Sequence, residues 1–255
     1  MKMAKFKIWM VALTLIMGVS FTSCVESDPT VTNPAIGQVE SILPLVIKTP
    51  DGTKFTAANS LGDMNYTYND FMYFIYSFNS DEQDVTSKNI TATISSIVKL
   101  NSGYAMSSSD KGESNETATI VQIGDNPTNS AYYHFSYYDE YHVVVPIYYL
   151  AEKEITKHSF TLYYDESEFE AASGMLKLYL RHRSEEEKST LMVSYPLYYN
   201  VFDVRSALMA FQSETGSLPA KITIYANETS KSNSDKLEDK KEELTAYTVE
   251  YPYKD

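Results

Sequence analysis

The chain has 255 residues, with 34 acidic against 21 basic side chains and a formal charge of -13. That balance argues against nucleic acid, where affinity comes from basic neutralisation of phosphate, and against charge-driven docking on anionic lipid headgroups. A single cysteine excludes an intramolecular disulfide, so one large or two modest domains must be stabilised by packing.

Lys2, Lys5 and Lys7 precede an apolar run from Ile8 to Val19, which leads into Phe21-Thr22-Ser23-Cys24. Twelve such residues span about 18 Å as a helix, short of the roughly 30 Å hydrocarbon core, so a cleaved segment is expected rather than a permanent span. The arrangement resembles a bacterial lipoprotein signal peptide, with residues 1–23 removed and Cys24 lipidated; Phe21 stands where leucine is usual. Each buried CH2 gains about 0.8 kcal/mol, and two or more chains anchor stably where one does not. The resemblance therefore implies a membrane partner reached through the lipid. Ordinary secretory cleavage beside an incidental cysteine is the alternative.

Losing three lysines with the leader leaves 18 basic against 34 acidic residues, a formal charge of -16. Residues 24–35 are polar and twice interrupted by proline, and read as an extended tether. Glu26 and Asp28 resemble the acidic export signal of surface lipoproteins in the Bacteroidota, which implies an outer-membrane protein exposed at the cell surface. A solvated linker facing the periplasm is the other reading.

Period-two patterns dominate the chain beyond the tether. Val39 to Ile47, the turn Pro50-Asp51-Gly52 and Lys54 to Ala57 predict a hairpin. Phe71 to Phe78 reads as a buried strand. Asn89 to Leu100 alternates Ile90, Ala92 and Ile94, then changes phase at Ser95-Ser96, which predicts a bulge. Residues 101–117 are rich in Ser, Gly, Asn and charge and read as the boundary between two units, 36–104 and 118–255.

Further strands are expected near Ala118–Ile123, Ala131–Tyr137, Tyr141–Tyr149, Lys157–Tyr164, Gly174–Arg183, Thr190–Tyr199, Ala220–Asn227 and Thr245–Tyr253, a spacing that favours a sandwich or barrel. Pro146 and Pro196 suit edges or bulges. Val204, Leu208 and Phe211 fall at i, i+4 and i+7 between Asp203 and Gly216, which predicts one short capping helix near 203–213. The charged stretch from Lys231 to Leu244 reads as a solvated hairpin tip. The fold class is all-β.

All 22 tyrosines remain after the only tryptophan, Trp9, leaves with the leader, and ten of them form adjacent pairs. Adjacent side chains in a strand face opposite ways, so each pair is expected to place one ring inside and one outside. Tyr133, Tyr138, Tyr149, Tyr164 and Tyr199 are the candidate outward rings, an amphipathic surface for a protein or glycan partner. Packing alone is the plainer reading of the same pairs.

Phe71 to Leu100, ending in Ile94-Ser95-Ser96-Ile97-Val98-Lys99-Leu100, resembles the end of the N-terminal domain of NigD-like lipoproteins. Tyr141-His142-Val143-Val144-Val145, Lys157-His158-Ser159-Phe160-Thr161-Leu162 and Leu176-Lys177-Leu178-Tyr179-Leu180-Arg181-His182-Arg183 are similar to its C-terminal domain, with its Leu-x-Leu-Arg-His strand. The resemblance covers about half the mature chain. It implies an OB-like barrel followed by a β-sandwich, and an immunity-like role is supposed for the family. It carries over no catalytic residue. The polar insertions at 101–117 and 228–244 depart from typical members.

Catalytic signatures are sparse. There is no Gly-x-Ser-x-Gly elbow, and the one cysteine is assigned to lipid. His134, His142, His158 and His182 lie far apart without metal-ligand spacing. Ser80-Asp81-Glu82-Gln83-Asp84 lacks the glycine of a calcium loop and reads as a turn. No cofactor, metal or enzymatic activity is expected. His182, between Arg181 and Arg183 and ahead of Glu185-Glu186-Glu187, is a candidate rim cluster for a partner, with a solvated strand end as the alternative. The four Asn-x-Thr sequons at Asn65, Asn89, Asn115 and Asn227 carry no weight in a bacterial chain.

Overall fold

The computed structural model describes residues 29–62, 65–84, 86–124, 135–151, 155–186, 197–231 and 234–253. The chain divides into two compact units at Leu100/Asn101.

The first unit is a closed barrel. Its strands are β1 (Thr30–Ile42), β2 (Leu45–Lys48), β3 (Lys54–Ala57), β4 (Phe71–Asn79) and β5 (Asn89–Lys99), in the order β1-β2-β3-β5-β4. Closure removes the sheet edges, and five strands in this order make the OB-like barrel. The long first strand serves two neighbours: Thr30 to Gln38 pair with β4, while Gln38 to Ile42 pair with β2 across a register shift between Val39 and Ser41. β1 begins within the stretch read as tether. The stretch Val39 to Ile47, read as one strand, is two strands meeting at a turn at Leu43-Pro44, because proline cannot continue the ladder.

Inward residues alternate as a pleated strand requires. Phe74, Tyr76 and Phe78 of β4 face Ile90, Ala92 and Ile94 of β5 in one buried cluster, with Val39, Ile47 and Phe55. Ile75 pairs with Ser96 and Tyr76 with Ile94, so Ser95 is the extra residue of a bulge. That shift puts Ile97 back into the core, as the phase change in the sequence predicts.

The second unit carries β6 (Asn101–Ser107), β7 (Gln122–Ile123), β8 (Ser136–Tyr137), β9 (His142–Tyr148), β10 (His158–Tyr164), β11 (Met175–Ser184), β12 (Leu197–Asp203), α1 (Arg205–Thr215), β13 (Lys221–Ala226) and β14 (Thr245–Glu250). The strands run β14-β13-β11-β10-β6-β12-β9-β7, with β8 beside β9. The first half of β6 pairs with β12 and its second half with β10, both parallel. Two strand groups thus join through one shared strand and enclose one core, which includes Val143, Val145 and Ile147 of β9, Leu176, Leu178 and Leu180 of β11, and Phe211 of α1.

Residues 101–107, read as part of the boundary, are therefore a central strand of the second unit. The polar composition misleads because only Ala105 of β6 points to the core, at 3% exposed. Pro146 lies inside β9 rather than at a sheet edge. Its carbonyl accepts from Gly124 N–H at 2.9 Å, and β7 and β8 pair with β9 on either side of it, so no ladder donor is missed. α1 follows the predicted pattern: Leu208 and Phe211 are buried and Gly216 ends the helix at φ 81°. Asp203 belongs to β12, yet its carboxylate accepts the Arg205 N–H at 2.8 Å and still caps the first turn.

The stretch after β6 is a cover. Ser108 N–H donates to the Tyr164 carbonyl, and Thr117 and Ala118 N–H both donate to the His182 carbonyl, so residues 108–118 run across the outer face of β10 and β11. The segment read as a solvated tip from Lys231 to Leu244 also pairs inward. Thr119 N–H donates to the Asp235 carbonyl at 2.7 Å, and Ala118 bridges Lys236. Backbone pairing thus holds the 228–244 insertion to the residues that directly follow the 101–117 one.

Candidate functional site

Cys24, Tyr133 and His134 lie outside the described residues. Tyr138, Tyr149 and Tyr164 are buried, and Tyr199 is half-buried. The expected outward surface of paired tyrosines is therefore corrected, and the 163–164 pair shows why. Tyr164 enters the core, while Tyr163 is roofed by Gly112, where a Cβ would lie 2.2 Å from the ring. Period two fixes which way a ring points, but not what covers it.

His182 is likewise buried, at 1% exposed, and is no rim residue. It shares a face with Leu176, Leu178 and Leu180, whereas Arg181 points to the covered outer face, so the Leu-x-Leu-Arg-His run ends by pinning the cover on both sides. Arg181 Nε donates to the Lys111 carbonyl at 2.8 Å, and its Nη1 reaches Glu116 at 3.3 Å. Asn227 donates to the same carboxylate at 2.6 Å. Burial pushes the Glu116 carboxyl above its usual range, against the pull of Arg181 and Asn227.

On the core side, tertiary structure brings two histidines together. His182 Nδ1 donates to the Thr119 carbonyl at 2.8 Å, its Nε2 meets His158 Nδ1 at 2.9 Å, and His158 Nε2 meets Glu186 at 2.9 Å. A continuous line of polar contacts thus runs from the Thr119 carbonyl through both rings to the Glu186 carboxylate. Tyr149 packs 4.8 Å from the His158 ring and Phe160 stacks 4.6 Å from that of His182. With His158 and His182 both buried, this chain of bonds acts as a lock between strands.

A different place gathers exposed chemistry. The turn between β8 and β9 carries Asp139, Glu140 and Tyr141, and beside it lie the start of α1 and the residues after β14. Tyr137, Tyr251 and Tyr253 meet edge to face, with centroids 5.6 Å apart for Tyr137–Tyr251, 6.0 Å for Tyr137–Tyr253 and 5.6 Å for Tyr251–Tyr253. The Tyr251 hydroxyl donates to the Glu140 carbonyl at 3.0 Å, which fixes the turn to the chain's end. The Asp139 carboxylate accepts from the Tyr141 and His142 N–H groups and from His142 Nδ1, each at 2.8 Å. The Arg205 guanidinium sits 4.2 Å over the Tyr141 ring.

The electrostatics of this cluster are negative. Burial, then Glu140 and Asp139, hold the Tyr251 phenol up at about 12; the same causes raise Tyr253. Burial chiefly, with the neighbouring phenols and Glu250, pushes Tyr137 up as well. The Tyr137 hydroxyl is buried and has no hydrogen-bond partner among the described residues. Tyr253 is 40% exposed and Tyr141 half-buried, so ring surface is open to solvent. Sequence reading missed this group because its parts lie over a hundred residues apart. The run Tyr137-Tyr138-Asp139-Glu140-Tyr141-His142 was the available signal. Among the described residues no cluster of three His, Cys, Asp or Glu side chains is placed to hold a metal ion.

The fold is shared with several solved structures. A candidate lipoprotein from Bacteroides fragilis is 20% identical with a TM-score of 0.69, over 87% of this chain and 98% of that one. A DUF1344 protein of unknown function from Bacteroides vulgatus is 15% identical with a TM-score of 0.57, over 87% and 92%. A NigD-like immunity protein from Bacteroides caccae is 13% identical with a TM-score of 0.51, over 90% and 94%. No protein-family model and no curated protein matches the chain. The OB-like barrel and β-sandwich implied by the NigD-like strand runs are the architecture of this chain.

Proposed function

We propose that this protein is a cell-envelope lipoprotein of the outer membrane that acts as a non-enzymatic binding module. The observation that carries the reading is the open group of tyrosine rings and carboxylates around Tyr141 and Tyr253. Such rings bury large area at low entropic cost while their hydroxyls stay wet, the chemistry of recognition surfaces. The leader-like run directly before Cys24 supports anchoring by lipid, and among the described residues no helix is long and apolar enough to cross a membrane. None of the three similar structures is named as an enzyme.

The test is affinity capture from envelope extract, with the wild-type protein beside a Tyr141→Ala, Tyr253→Ala double variant. The reading expects a partner lost from the variant; identical profiles would contradict it. A protective, immunity-like role is the second reading, favoured by the name of the Bacteroides caccae structure. It expects a deletion strain to become sensitive to toxins secreted by rival strains, and unchanged resistance would remove it.

A further inference from the structure

Two features of the tyrosine–carboxylate cluster point to one ligand chemistry. The first is charge. Asp139 and Glu140 adjoin Tyr141, Tyr251 and Tyr253, and Glu250 adjoins Tyr137, against Arg205 and Lys221, the latter 3.1 Å from Glu250. The local surplus of anions matches the formal charge of -16 on the mature chain, so the long-range field also steers cations toward it. The second is the rings themselves. An aromatic face attracts a cation within about 6 Å of its centroid, and the protein already holds its own guanidinium over Tyr141 at 4.2 Å.

We propose that this end of the C-terminal unit docks a cationic peptide segment, seating a lysine or arginine side chain on Tyr253 with Asp139, Glu140 and Glu250 as counter-charges. The inference rests on the binding-module reading and names the partner's chemistry. A neutral glycan also stacks on tyrosine, but it makes no use of the carboxylates. Asp139 orients the site rather than merely charging it, because its bonds to Tyr141, His142 and the His142 ring hold the turn that presents Glu140.

The test titrates hexalysine into the full mature lipoprotein in neutral detergent micelles at low salt, with heats of binding as the readout. Tyr253→Ala is expected to weaken binding about fivefold, the equivalent of roughly 1 kcal/mol of cation–π contact. Glu140→Gln should weaken it by a similar factor, while Tyr253→Phe, which keeps the ring, stays within about twofold. A distal control, Glu242→Gln with Glu243→Gln, removes one charge more than Glu140→Gln near the opposite end of β14, about 20 Å from Tyr251 by strand rise, and should leave binding unchanged. Thermal unfolding of each variant verifies that the unit remains folded.

The proposal is overturned if hexalysine does not bind at about 1 mM, if the control pair weakens binding as much as Glu140→Gln, or if maltohexaose binds and hexalysine does not. If hexalysine fails while the Tyr141 and Tyr253 variants still alter the envelope partners, the cationic chemistry falls and the binding module stands. If both experiments fail, both readings fall.

Discussion

Gly112 takes φ 73°, a left-handed conformation, directly against the Tyr163 ring. Gly112→Ala therefore adds left-handed strain and a clash; about 2–4 kcal/mol of destabilisation is expected from urea unfolding. His182 is the second residue on which the cover depends. His182→Ala removes the partner of both the Thr119 carbonyl and His158 Nδ1, and leaving buried groups unpaired should cost about 1–3 kcal/mol. None of this was readable from the spacing of His158 and His182. The register that pairs Phe160 with His182 puts the two histidines on the same face, two residues out of step, and only the fold sets that register.

At the scale of elements, the turn between β2 and β3 shows how a hairpin is tied to a third strand. Asp51 accepts from Thr49 and Thr53, and from Lys88 at 2.8 Å at the start of β5, which pairs with β3. Burial raises its pKa, but the bonds from Lys88, Thr49 and Thr53 outweigh it and hold the carboxyl at about 2, below the ordinary aspartate range. A depressed acid stabilises the fold above its unfolded pKa and loses that stability as pH falls through the folded value. The gap in urea midpoint between wild type and Asp51→Asn should thus be full at pH 6 and shrink between about pH 4 and pH 2; a gap that grows on acidification would contradict the assignment. The Asp-Gly turn, the Ser95 bulge and α1 were legible because local chemistry dictates them. β6 and the cover after it were not. A polar strand with one core residue looks like a linker until its neighbours β10 and β12, dozens of residues later, are in place.

At the scale of the molecule, an OB-like barrel and a nine-stranded unit follow one another in a chain without disulfides, each with its own apolar core. The fold class and the order of the two units were visible from strand spacing and the NigD-like runs, because alternation survives low identity. The site was not, since Tyr137, Arg205 and Tyr253 come from separate elements whose meeting depends on topology. Binding at that cluster acquires its proposed meaning from where the protein is held. If the thiol of Cys24 carries the anchor, the barrel begins at Thr30 only a few residues from lipid, and the C-terminal unit is held at the envelope to meet its partner. Intact mass measurement of the protein purified from its native membrane tests this most directly. The account predicts a chain that starts at Cys24 and carries acyl groups; a mass matching a free cysteine, or a chain with residues 1–23 still attached, would contradict it.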